Sequence, residues 1–276
     1  MISRILLRKF SKSSTVPAKV LLENDSTMYK VKVEDRAEVG RNTFVLRCSF
    51  DKDKILGVPL GQHVSIHFEP PVLDRRRTYT PLNDLDTPGI LDVLVKVYKP
   101  CPEFPKGGAL TQYLDAVKAG QELTISGPRG KYTYKGNGEI SFDKLKIKRT
   151  FKTISFIAGG SGITPIYQIL MNLRSNDKTK FSVLYANKTE ADILMRKRLE
   201  KLQSTIPTLK ISHTLETPPE NWKGYIGYVS DNMIKENIAP PSDDHVVFIC
   251  GPKDMNDYVK EKLINLGYEE DHIFFY

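Results

Sequence analysis

The segment FIAGGSGITPIYQIL brings Gly159, Gly160 and Gly162 to the end of an apolar run, with Pro165 just beyond them. Glycines let a backbone approach a ligand closely, Pro165 suits a first helical turn, and the free N–H groups of a helix start attract phosphate. The spacing is not GxGxxG, because Pro165 stands at the last position. Nor does a Gly-Lys-Ser/Thr follow, as a phosphate loop would need. Taken alone, the segment also reads as a strand-to-helix turn with no ligand. A second turn, VVFICGPKDM, sets Cys250, Gly251 and Pro252 at the end of another apolar run. Cys250 there is either a small packing residue or a contact for a bound ring. Two such turns on one sheet edge favour a ligand, because open α/β sheets bind at the carboxyl ends of their strands.

A further set lies earlier in the chain. KGGALTQYL places Gly107 and Gly108 just before a helix start, which again suits phosphate. In DRRRTYTPLN, Arg77 and Tyr79 are two apart and share a strand face, so a cation for a phosphate and a ring for a planar group stand together. Thr80 points the other way unless the strand ends there, which Pro81 favours.

The elements that must position these residues fall into two blocks. MYKVKVED, NTFVLRCSF, GQHVSIHF, ILDVLVKVY and ELTISGP read as short strands, with one helix over GGALTQYLDAV, and together with the strand that carries Arg77 and Tyr79 predict an antiparallel six-stranded barrel. KLKIKRTFK reads as a polar, basic bridge. Beyond it strands and helices alternate: TISFIAG, a helix from about Thr164 to Leu173, FSVLYA, a helix over Asp192 to Gln203, and LKISHTL. A helix near Asp231 to Glu236, VVFICG, a helix over Lys253 to Asn265 and HIFFY complete the series. This predicts a doubly wound parallel sheet with helices on both faces. The expected layout is a basic segment over 1–14, a linker over 15–27, the barrel over 28–148 and the α/β domain over 149–276.

A chain of 276 residues with 40% hydrophobic and 27% charged residues fits a two-domain globular protein. It lacks a run of about 20 apolar residues that could span a membrane. Cys48, Cys101 and Cys250 are far apart, which argues against a structural zinc or a disulfide framework and suits a reducing compartment. No metal site is expected: His63 and His67 share a strand face without a matching carboxylate or cysteine. MISRILLRKFSKSS has four cations, serines and no acid before Glu23, the composition of a mitochondrial presequence, with a disordered basic tail or a basic helix lying on anionic lipid as the alternatives. Without residues 1–12 the net charge falls from +8 to +4. A basic nucleic-acid-binding module using Arg75–Arg77 and the Lys144–Lys152 cluster is the competing reading. No RNP-like motif, zinc finger or helix-turn-helix accompanies those residues.

Together RTYTPLN, VKVY, GGALTQYL, GPRGKYTY, IAGGSGITP, LYANKTEADIL and CGPKDM occur in the order and spacing of the NADH–cytochrome b5 reductases, flavoproteins of the ferredoxin-reductase superfamily. The resemblance runs from Met28 to Tyr276. It implies an FAD-binding barrel followed by an NAD-binding α/β domain. It further implies that Arg77 pairs with the FAD pyrophosphate, that Tyr79 packs on the flavin, and that Thr80, beside Pro81, bonds near flavin N5. Val95 and Tyr98 would line the flavin and Lys96 would help bind NADH. Gly107, Gly108, Leu110 and Thr111 would cradle the FAD phosphates through backbone N–H groups and the Thr111 hydroxyl. Gly160, Ser161, Gly162 and Thr164 would receive NADH, and Cys250, Gly251 and Pro252 would flank the nicotinamide; Thr80, Lys96 and Cys250 would stand at the reacting centre. Four positions depart from the family's pattern. Ala109-Leu110 replaces a common Lys-Met, Ser161 a threonine, and Glu216 an aspartate. A carboxylate at 216 would accept bonds from the adenosine ribose and repel a 2′-phosphate, favouring NADH over NADPH.

The implied reaction is hydride transfer from NADH to FAD, then release of single electrons to cytochrome b5 or a similar acidic haem protein. The chain has no CxxCH haem attachment or iron–sulfur cysteine set of its own. A related reductase serving a quinone or ferric chelate is the nearer alternative. A monomer is expected, with any membrane association running through the N-terminus.

Overall fold

Alternation of apolar residues dictates the first half of the molecule. Val31 and Val33, Leu46 and Cys48, Val64 and Ile66, Val93 and Val95, and Leu123 and Ile125 lie two apart on their strands and are all buried in one cluster. In this computed structural model, which describes residues 19–68, 75–102 and 104–276, those strands form one six-stranded antiparallel sheet. Its order is Arg75–Tyr79, His63–Phe68, Glu122–Arg129, Met28–Gly40, Thr43–Ser49, Ile90–Lys96. The two end strands are joined by a bridge between Pro81 and Val93 and by the Leu82 N–H donating to Asp92 O at 2.8 Å. The sheet thereby closes into the expected barrel. The helix Ala109–Ala116 seals it with Leu110 and Leu114. The presequence reading falls on residues 1–14, outside the described residues.

The polar bridge is resolved differently from expectation. Tyr132–Gly136, Glu139–Phe142 and Ile147–Thr150 make a separate antiparallel three-stranded sheet. IKRT is its edge strand, mostly exposed, so it carries no buried alternation that a sequence reading could detect. This small sheet couples the two halves. Tyr134, Ile140, Phe142 and Phe151 continue into the same apolar cluster as Ile154, Phe156 and Ile166. The Tyr134 hydroxyl donates to Asp177 at 2.7 Å.

From Thr153 onward the strands are parallel, in the order Tyr225–Ile226, Leu209–Leu215, Lys180–Asn187, Thr153–Gly159, His245–Cys250, Ile273–Phe275. The central strands are almost wholly buried, as helices on both faces require. Ile163–Met171 and Arg196–Thr205 cover one face, and Asp231–Asn237 and Lys253–Asn265 the other. One helix begins later than expected. In place of a helix from Asp192, Glu190–Asp192 forms a short 3-10 turn closed by a reciprocal Thr189–Asp192 capping box, and Met195 turns left-handed before the helix starts. No helix among the described residues is long and apolar enough to cross a membrane.

Between the halves, Gln168 is fully buried. Its Oε1 accepts from the Gly61 N–H at 2.9 Å and its Nε2 donates to Gln62 O at 3.1 Å. A second buried polar group, His245, bonds Ser155 Oγ at 2.7 Å and reaches Pro240 O through Nδ1 at 3.2 Å. Burial lowers its pKa to about 4. The unfolded imidazole takes its proton near 6.5, so between those values the unfolded state binds more protons and folding weakens as pH falls. Urea unfolding should lose on the order of 3 kcal/mol from this group between pH 6.5 and 4. His245→Gln should lower stability at pH 7 and flatten the pH dependence in that window.

Candidate active site

Strand pairing sets the directions of the barrel-side residues. Arg77 stands opposite Ile66 and Tyr79 opposite Val64, so the two share a face, while Arg76 stands opposite His67 on the other. Tyr79 is buried, and burial raises its phenol pKa while the Arg77 charge opposes the rise and Tyr98 adds to it. The phenol therefore stays neutral, with the guanidinium and the Tyr98 ring beside it. Arg77 is exposed; its Nη1 donates to Arg76 O at 2.9 Å, and among the described residues no carboxylate pairs with it. Thr80 is half-buried at the strand end and Pro81 is buried in the closing bridge.

Tyr98 leads into the glycine loop. Gly108 N–H donates to Tyr98 O at 2.8 Å. Gly107 has φ +58°, and a Cβ there would fall 2.5 Å from Tyr98 O, so only glycine fits. No side chain caps the helix that starts at Ala109, which leaves its first N–H groups for an anion. Leu110 buries its side chain in the barrel and can offer only its backbone. The expected direct contact from the Thr111 hydroxyl is not provided. That hydroxyl donates to Gly108 O at 2.9 Å and accepts from Tyr98 N–H at 3.2 Å, so it shapes the loop.

Val95 is a correction. It is fully buried opposite Phe44 inside the barrel, and its side chain cannot line a flavin outside it. Alternation places Leu94, Lys96 and Tyr98 on the outer face instead. Leu94 joins the cluster between the halves, with Tyr167, Ile163 and Leu194. Lys96 Nζ lies 3.8 Å from Asp192 Oδ1 of the α/β domain.

Because the second sheet is parallel, its chemistry collects at one edge. Ala158 pairs with Cys250, Gly159 with Ala186 and Asn187 with Leu215, so Gly160–Gly162, Cys250–Pro252 and Glu216 follow adjacent strand ends. The two glycine turns touch: a Cβ on Gly162 would lie 1.9 Å from Cys250 O. Thr164 Oγ1 donates to Ser161 O at 3.1 Å, and the Tyr185 hydroxyl holds Gly160 O at 2.8 Å. Gly162 starts the helix Ile163–Met171 without a side-chain cap. Glu216 is exposed, its N–H bonded to Asn187 O at 3.1 Å. Burial pushes the Cys250 thiol up to about 12, so it is a neutral, polarisable wall and not a nucleophile at neutral pH. Asn256 Oδ1, next to Gly251, is buried with no hydrogen-bond partner, an acceptor open to a ligand donor. His67 spends Nε2 on Ser126 Oγ at 2.9 Å.

Sequence reasoning missed Asp192, Tyr185 and Asn256. The Thr-Glu-Ala-Asp spacing announced a capping box for Asp192. Nothing local marked the other two, whose roles depend on neighbours from distant strands.

The unpaired Arg77, the glycine-lined helix start and the uncapped N–H groups fit an FAD diphosphate. The tight glycine edge, with an orphaned acceptor and the Glu216 carboxylate, fits NADH. The family described as Oxidoreductase FAD-binding domain matches residues 30–134, and Oxidoreductase NAD-binding domain matches residues 156–261. NADH-cytochrome b5 reductase 2 of Xenopus tropicalis is 35% identical, covering 99% of this chain and 93% of that protein. NADH-cytochrome b5 reductase 2 of Homo sapiens is 33% identical over 93% of this chain and 97% of its own length. The crystal structure of the cytochrome b5 reductase domain of Ulva prolifera nitrate reductase superposes with a TM-score of 0.86 at 29% identity, covering 95% of this chain and all of that one. The chain belongs to the NADH–cytochrome b5 reductase family, as an oxidoreductase with an FAD-binding barrel and an NAD-binding parallel sheet.

Proposed function

We propose that this chain takes electrons from NADH through FAD and delivers them singly to cytochrome b5. The observation that carries this reading is the junction itself. Lys96 at the end of a barrel strand stands 3.8 Å from Asp192 of the second domain, so the two domains meet at a residue expected to touch NADH, which supports one shared site for the two cofactors. The names of the relatives at 33–35% identity support cytochrome b5 as the acceptor.

When bound, the two cofactors supply the redox chemistry, with two electrons entering as hydride and leaving one at a time. The chain's residues supply placement. Arg77 and the helix start at Ala109 would anchor the FAD phosphates, and Tyr79, buried in the barrel cluster at the end of the Arg77 strand, adds no charge beside them. Gly162 lets the two glycine turns touch, Gly160, where a Cβ would meet nothing within 4 Å, leaves the turn open to the second cofactor, and Cys250 presents no thiolate there. Glu216 accepts from ribose hydroxyls. Arg76, Lys99 and Lys106 are exposed and would steer an acidic acceptor.

Purified protein should absorb in the visible, bleach on NADH, and turn over cytochrome b5 more slowly as salt rises. Protein that stays colourless with added FAD sinks the flavoenzyme reading; turnover of quinone or ferric chelate but not cytochrome b5 relocates the acceptor. Arg77→Ala should lose FAD on gel filtration, whereas Arg76→Ala should keep it and at most raise the KM for the acceptor. Stopped-flow reduction should favour NADH over NADPH, and Glu216→Gln should narrow that gap; equal rates and affinities in the parent protein would refute the role given to Glu216.

A further inference from the structure

Lys96 ends the barrel strand Ile90–Lys96, and Asp192 ends the 3-10 turn Glu190–Asp192 of the other domain. Their side chains are only 27% and 24% exposed, and the charged atoms lie 3.8 Å apart. Asp192 is held rigidly. Its Oδ2 accepts from Thr189 Oγ1 at 2.7 Å and from Thr189 N–H at 3.2 Å, which leaves Oδ1 facing the ammonium. It also lies close enough to Tyr185 to raise that phenol's pKa, though burial is the larger cause, and Tyr185 is the residue that holds Gly160 O. The carboxylate is thus fixed to its own turn by Thr189 and turned towards the lysine of the other domain.

An acid at the mouth of a site for an anionic cofactor needs a physical reason. A lysine stem has four rotatable bonds, and without a fixed anion its ammonium would spread over many rotamers. At 3.8 Å the attraction is Coulombic and longer than a hydrogen bond, and among the described residues no hydrogen bond occupies the three N–H donors, which can serve another acceptor. The lysine in turn offsets the repulsion that a lone carboxylate would exert on a diphosphate.

We infer that Asp192, fixed by its Thr189 capping box, is a positioning residue that holds the Lys96 ammonium over the junction ready for NADH. This rests on the reading that Lys96 contacts NADH. The test uses the FAD-loaded full chain and measures flavin content, Tm, and KM and kcat for NADH with ferricyanide as acceptor. Asp192→Asn should keep flavin and Tm while raising KM for NADH roughly fivefold, the scale of one partly exposed charge contact, with kcat changed less than about twofold. Thr189→Val, which frees the carboxylate without removing it, should raise KM by a smaller factor and covers the case in which Asp192→Asn fails to fold. Lys96→Met should raise KM, and adding Asp192→Asn to it should raise KM no further and should relieve part of the repulsion of the then lone carboxylate, because Asp192 favours NADH only through the lysine. If Lys96→Met leaves KM unchanged, the underlying reading of Lys96 fails. If Lys96→Met raises KM while Asp192→Asn leaves it unchanged, lowers it, or raises it equally in both backgrounds, the positioning role is overturned.

Discussion

The carboxamide of Gln168, buried between the barrel and the parallel sheet, governs the geometry of everything that spans them. Burying an amide costs free energy unless both its oxygen and its nitrogen find partners. Here the oxygen takes the Gly61 N–H and the nitrogen gives to Gln62 O. Only a narrow range of relative placements of the two domains satisfies both bonds. Asn172 adds a contact of the same kind, accepting from the Leu85 N–H at 3.1 Å. Tyr134 and Asp177 lock the small intervening sheet to the second domain. A site divided between two domains needs such a junction, because hydride transfer depends on alignment within a fraction of an ångström.

With the junction fixed, the functional groups occupy places where a backbone leaves polar atoms unused. The helix start at Ala109 and the 3-10 turn Gly160–Gly162 ahead of Ile163 lack side-chain caps, and the parallel strands end together along one edge. Side chains there tend towards neutrality. Burial keeps the Cys250 thiol and the Tyr79 phenol protonated, and Gly162 removes bulk where the two turns meet. The charges that remain are few and separated: Arg77 on the barrel side, Glu216 at the far strand end, and Lys96 with Asp192 between them. This separation lets anionic cofactors be held without a general basic patch, although three arginines run together in RRRTY. Arg76 and Arg77 point to opposite faces, and only Arg77 stands beside the neutral tyrosine.

Much of this was legible in the chain itself. Alternating apolar residues announced the barrel strands, continuous apolar runs the parallel sheet, and glycines after those runs the ligand-binding turns; these are local patterns whose physical causes act within a few residues. The helix Lys253–Asn265 starts and ends where its periodicity and the preceding Pro252 suggest. The strand Ile147–Thr150 was not legible, because an exposed edge strand carries no buried face to betray it.

Sequence alone determined the two-domain architecture, and that its glycine turns follow strand ends and precede helix starts. Tertiary structure decided which faces meet. Val95 and Lys96 are neighbours in the chain, yet one fills the barrel and the other crosses to Asp192, because the closing bridge at Pro81–Val93 sets which side of the strand is inside. The pairing of Lys96 with Asp192, about a hundred residues apart, likewise has no local signal. It follows from a junction whose buried amide tolerates one arrangement, and such a constraint exists only once both domains have folded.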